Sequence, residues 1–183
     1  MKKRSDQLIL SATDLGNFLG CRHRSDLDKG VALGGLEKVH RESPVLEDLK
    51  VRGLEHEKAY LAYLDDQGLF ISLLDGSNPT ESMKQGYDVI YQARLGRDQW
   101  SGIADFLIKV DKPSKLGDWS YEVLDTKLSF ATKAQTILQL SLYSDLLQEL
   151  QGCLPEKMYV VNPQTIEKPL AYRVDDFLSL IHI

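Results

Sequence analysis

Two stretches decide the fold: Gly102-Ile103-Ala104-Asp105 and Tyr121-Glu122-Val123-Leu124-Asp125-Thr126-Lys127. Both are rich in β-branched and aromatic residues. Asp111, Lys112, Pro113, Ser114, Gly117 and Asp118 supply turn chemistry between them. The pattern predicts two antiparallel strands joined by a polar loop. Each strand carries an aspartate where an apolar residue is expected. Asp125 and Lys127 are two apart, so on a strand they share a face.

Working outward, Ser11-Ala12-Thr13-Asp14 reads as a helix start, with Ser11 as cap and Asp14 three residues on. That helix carries Leu15, Phe18 and Leu19 and is expected to stop near Gly20. Cys21-Arg22-His23-Arg24 is a small basic knot, and Gly30, Gly34 and Gly35 predict a loop-like or broken stretch. Glu37–Ser43 is polar and expected at the surface. From Pro44 to about Asp66 the pattern is helical, with Leu46, Leu49, Leu54, Tyr60, Leu61 and Leu64 on one face. Strands are expected over Leu69–Leu74 and Tyr87–Leu95, with a short helix from Asn78-Pro79-Thr80-Glu81 to Gly86 between them. Thr132–Leu150 predicts a long buried helix, Lys157–Asn162 a strand, and Leu170–Val174 an edge strand. The helix between the last core strands allows a crossover. The order predicts an α/β domain with a mixed central sheet and helices on both faces. Residues 1–183 read as one domain. The apolar end Leu180-Ile181-His182-Ile183 is expected to mark a truncated chain or a contact with a further segment.

Composition narrows the class. The 183 residues suffice for one sizeable core, and 43% hydrophobic with 27% charged residues is ordinary for a globular chain. No run of about 18 apolar residues exists, which predicts no membrane span. The basic start Met1-Lys2-Lys3-Arg4 lacks the apolar stretch of a signal peptide. Cys21 and Cys153 are too few for a disulfide framework or a cysteine cage, which fits a reducing, cytoplasmic setting. A net charge of −5 argues against broad non-specific nucleic-acid affinity, without excluding a local basic groove.

An acid on one strand beside an acid-x-lysine on the next is the layout of a divalent-metal phosphodiesterase site. One or two ions neutralise the phosphate, activate water and stabilise the leaving oxygen. Asp105 and Asp125 supply carboxylates, and the Thr126 backbone carbonyl is a further ligand candidate. Glu57 falls in the middle of an apolar helix face, where a carboxylate is costly unless paired or ligating. His56 lies at the edge of that face and is the alternative; helical phase favours Glu57. Lys127 reaches the attacking water and the phosphate. Gln139 and Tyr143 share a helix face and are positioned to grip a nucleic-acid backbone or to position Lys127. Trp100 and Trp119 flank the central strands. Core or edge packing is their default role, and base stacking the alternative.

The set Gly53-x-x-x-Glu57, Gly102-x-x-Asp105, Asp125-x-Lys127 and Gln139-x-x-x-Tyr143 resembles the PD-(D/E)XK nuclease superfamily, and within it the RecB-like exonuclease V and CRISPR-associated exonuclease groups. The resemblance covers roughly residues 8 to 175. It implies a restriction-endonuclease-like core and Mg²⁺- or Mn²⁺-dependent cleavage of DNA. It implies metal ligation by Asp105 and Asp125, with Glu57 as the helical acid and Lys127 as the catalytic lysine. Some relatives hold an iron–sulfur cluster through four cysteines; two cysteines argue against one here. RecB-like modules are also often fused to a helicase or another nuclease domain.

Overall fold

The computed structural model describes residues 1–38 and 43–181. His40 and His182 lie outside them, as do parts of the expected polar run Glu37–Ser43 and of the apolar end. Six strands form one mixed sheet in sequence order: β3 (Ile71–Leu73), β4 (Val89–Arg97), β5 (Trp100–Val110), β6 (Ser120–Thr126), β7 (Lys157–Val161) and β8 (Leu170–Arg173). β4, β5 and β6 are antiparallel neighbours, while β3 and β7 join them in parallel. Gly102–Asp105 and Tyr121–Thr126 therefore lie on the two middle strands, with Lys127 just past the end of β6. A helix, α5 (Ala134–Gln151), connects β6 to the parallel β7, as a crossover requires.

The sheet is covered on both sides. α5 packs on one face, where Leu140, Leu146 and Leu147 meet Ile90, Leu107, Val123 and Met158. Ser141 and Ser144 on α5 are fully buried, and their small side chains let the helix lie close to the strands. The long α3 (Pro44–Asp66) covers the other face with a smaller cluster, Tyr60 and Leu64 against Val89, Phe106, Leu124 and Val161. The expected apolar face of α3 is only half realised. Leu46, Leu49 and Leu54 are exposed, because only the C-terminal half of the helix meets the sheet.

The loop expected around Gly30 is corrected. Residues Arg22–Ala32 form a helix, α2, which begins in the basic knot directly after α1 (Ala12–Gly20). Leu36 folds back over Gly30, where a Cβ would lie 2.6 Å from its Cδ1, so this glycine serves a close approach inside a helix. Gly34, at φ +79°, ends the segment. A hairpin absent from the sequence reading, β1 (Lys2–Arg4) with β2 (Gln7–Ile9), precedes α1. The short helix α4 (Thr80–Gln85) and a closing 3₁₀ turn, Leu178–Ile181, complete the order. Among the described residues, no helix is long and apolar enough to cross a membrane.

One polar residue ties α5 to the sheet. Gln151 is fully buried; its Oε1 accepts the Tyr121 N–H at 2.7 Å and its Nε2 donates to the carbonyls of Tyr121 and Cys153, each at 3.1 Å. Gln151→Leu strands both Tyr121 backbone groups in the core and is expected to cost about 2–4 kcal/mol, read as a lower denaturation midpoint at unchanged m.

Candidate active site

The β5–β6 ladder ends at Phe106↔Leu124, and Asp105 and Asp125 are the next residue along each strand, close enough for their carboxyls to interact. Asp125 is 1% exposed, and Asp105 keeps part of its surface open. The Thr126 N–H and Oγ1 donate to Asp105 Oδ2 at 3.1 and 3.2 Å. Gln139 Nε2 donates to Asp125 Oδ1 at 3.1 Å. Lys127 Nζ makes an ion pair with Asp125 Oδ2, and its side chain is one-third exposed. Burial and the facing Asp125 charge push the Asp105 carboxyl up to about 7, with Lys127 and the Thr126 N–H opposing. Two carboxylates held this close to each other favour a shared cation. The nearby Glu122 is a contrast. It is also buried, but it accepts the N–H groups of Glu156 and Lys157 and the Tyr159 hydroxyl, so its charge serves the β6–β7 edge.

Strand alternation breaks beside the acid pair. On β4, Val89 and Tyr91 belong to the α3 side and Ile90 to the α5 side; Ala93 should follow Tyr91 but lies with Ile90. The change falls at Gln92, whose φ is +53°. On β5, Phe106 faces α3 while Ala104 and Leu107 face α5, so the same change falls at Asp105. The ladder sets these two residues across from each other, between Tyr91↔Phe106 and Ala93↔Ala104. A non-glycine residue in left-handed backbone beside a buried acid pair is the kind of local strain found at functional sites.

Helix α5 reaches both middle strands with one turn. Gln139 holds Asp125 on β6. Tyr143, one turn later, lies over Gly102 on β5. A Cβ at Gly102 would sit 2.5 Å from the Tyr143 hydroxyl and from its Cε1. The Ile103 backbone hydrogen-bonds Tyr143, whose hydroxyl is raised by burial and by the Asp125 and Asp105 charges to about 12. Gly102 and Tyr143, separate elements in the sequence, are thus two halves of one contact.

Glu57 lies toward β4. Gln92 Nε2 donates to its Oε1 at 2.9 Å and also contacts the Tyr91 hydroxyl at 3.3 Å. Tyr91 is raised by burial, by its hydrogen bond to Glu57, and by the charges of Glu57 and Asp105. The Tyr91 side chain therefore connects the helical acid to the strand pair. His56 points toward β7, its Nε2 3.4 Å from the Val161 carbonyl, which also accepts the Lys127 N–H at 2.8 Å. Among the described residues, no three His, Cys, Asp or Glu side chains converge as a ready metal cage. Gln92 and Tyr91 were not singled out from the sequence. The available signal was a glutamine inside the apolar run Val89–Ala93.

A recess of about 190 Å³ opens beside Lys127, walled by Gln139, Lys133 and Thr136 of the α5 start and by Ala12 and Thr13 of α1. The residues of the basic knot lie elsewhere: Arg22 covers the Phe18 ring at 5.3 Å. Trp119 is structural, donating from Nε1 to the Met83 carbonyl at 3.0 Å with Lys109 over its ring. Trp100 packs partly against the main core. Cys21 and Cys153 are free thiols, the first exposed and the second half-buried. No protein-family model and no curated protein matches the chain.

Proposed function

We propose that this chain is a metal-dependent nuclease that hydrolyses DNA phosphodiester bonds on a restriction-endonuclease-like core of the RecB-like kind. The observation that carries the reading is the facing pair Asp105 and Asp125, with Lys127 ion-paired to Asp125 at the mouth of a recess. Burial and then repulsion from Asp125 raise Asp105, and a divalent cation relieves both, so the donor set fits Mg²⁺ or Mn²⁺. Asp105, Asp125 and the Thr126 carbonyl would hold the ion. Glu57 would complete the set directly or through a water, with His56 as the alternative. When bound, the ion neutralises phosphate charge and lowers the pKa of the attacking water.

The chain's own groups do the rest. The Thr126 N–H and hydroxyl fix the Asp105 carboxylate, and Gln139 fixes Asp125. Lys127 donates to a non-bridging phosphate oxygen, where negative charge grows in the transition state. Lys133 and Thr136 line the space for the adjoining phosphate. Gln139 and Tyr143 act here as positioning residues.

Incubation of single-stranded DNA, duplex DNA and RNA with Mg²⁺ or Mn²⁺ tests the reading: DNA is cleaved, and chelator stops it. No cleavage under either metal overturns it. One observation favours a second reading, a nucleic-acid-binding module of a helicase–nuclease assembly with weak or no cleavage of its own. Glu57 is held by Gln92 rather than gathered with the two aspartates. Retained DNA binding without cleavage would select that reading.

Metal binding has a thermal signature. At roughly a hundredfold excess over Kd, Mn²⁺ is expected to raise Tm by about 5–10 °C. Asp105→Asn should lose that rise and, in chelator, melt at or above the parent, since one of two repelling charges is gone. A Mn²⁺ response equal to the parent's would put the ion elsewhere.

A further inference from the structure

We propose that the groove between the β1–β2 hairpin and the β4–β5 turn binds the sugar–phosphate backbone of a nucleic-acid strand. The groove encloses about 520 Å³ and is lined by Lys2, Lys3, Arg4, Arg94 and Arg97, with Trp100 on its wall. Arg97 is already committed to Asp145 and Glu149. Lys2, Lys3, Arg4 and Arg94 are exposed, and among the described residues none has a carboxylate within 4 Å. The opposing charge in the groove is Asp98, which is exposed and beside Arg97. In a chain of net charge −5, four exposed cations set against the one lining carboxylate of Asp98 form a local positive field. Such a field fits a row of phosphates, whose affinity comes from neutralising them and releasing their counterions.

The scaffold ties this groove to the acid pair. The Leu10 N–H donates to the Gln99 carbonyl at 2.7 Å, and the Ser101 N–H to the Leu10 carbonyl at 2.9 Å, so the hairpin is anchored on β5. From Ser101 in the groove, β5 runs four residues to Asp105, a distance of about 14 Å at ~3.4 Å per residue. A strand of a few nucleotides bridges the two. That the strand continues to Asp105 rests on the nuclease reading; binding in the groove does not.

The test is fluorescence anisotropy of a labelled single-stranded DNA oligonucleotide in chelator, with salt titrated, for the parent and Lys2→Glu/Lys3→Glu/Arg4→Glu. The variant is expected to bind roughly tenfold or more weaker at about 0.1 M salt. Its log–log salt slope should be shallower by about 2, at ~0.7 per lost phosphate contact. Arg94→Ala should weaken binding in the same direction, and unchanged Tm verifies that both variants are folded. Equal affinity and slope in parent and variant overturn the groove while leaving the nuclease reading intact. Loss of binding in the variant, with no cleavage by the parent under any metal, keeps the groove and removes the nuclease. No DNA binding by the parent removes both.

Discussion

Lys127→Ala is expected to reduce DNA cleavage by about 10²–10³-fold, while Mn²⁺ still raises the melting temperature as in the parent. The Lys127 ammonium lies against Asp125 Oδ2 and on the wall of the recess, with a third of the side chain open. On the nuclease proposal it would exchange a carboxylate for a phosphate oxygen when substrate arrives. Lys133 lines the same recess, but from the start of α5, with no contact to the acid pair. Truncation leaves Asp105 and Asp125 in place, since Thr126 and Gln139 hold them independently. Removing a cation beside the pair sharpens its demand for a metal ion, so the thermal response persists. A variant with parental turnover would remove Lys127 from the chemistry. A variant that loses the metal response too would make it structural.

The second large effect is at Gly102. An alanine there must displace the Tyr143 ring, since the new Cβ would lie 2.5 Å from two of its atoms. The ring is 6% exposed. Overpacking of this kind costs about 1–3 kcal/mol. Activity should fall further than stability alone explains, because Tyr143 and Gln139 share one turn of α5, and a shift of that turn moves the donor on Asp125. Gly102→Ala with Tyr143→Leu should recover much of the lost stability, giving a non-additive cycle. Additive losses in urea melts would show that the two residues do not meet.

The middle of the molecule was legible in the sequence because its signals are local. Asp105 and Asp125 stood out as acids in apolar strands, Tyr143 by its spacing from Gln139, and Gly102 through the resemblance of Gly102-x-x-Asp105 to a known motif. Turn residues separated β5 from β6, and proline and glycine bracketed α3 and α4. What escaped depends on contacts between distant segments. Gly30 reads as a breaker, yet Leu36 makes it a packing glycine inside α2. Leu46, Leu49 and Leu54 fit a buried stripe, yet nothing in the described residues covers them, because helical phase reports a face and not what lies opposite. Gln92 carried no spacing signal; its role comes from a left-handed backbone that only coordinates reveal. The β1–β2 hairpin is three residues per strand, too short for alternation to register.

The two faces of the sheet are unequally held. α5 is embedded along its length, whereas α3 is fastened by its C-terminal half, through Tyr60 and Leu64 with Leu61 and Tyr63 beside them, and its first turns lie in solvent. Partial opening of the molecule is therefore expected to start with α3 lifting away, taking Glu57 and His56 with it while the strand aspartates stay assembled. On the nuclease proposal the helical acid would be the detachable member of the site, and the grip on an ion would follow from how much of the time that helix is docked.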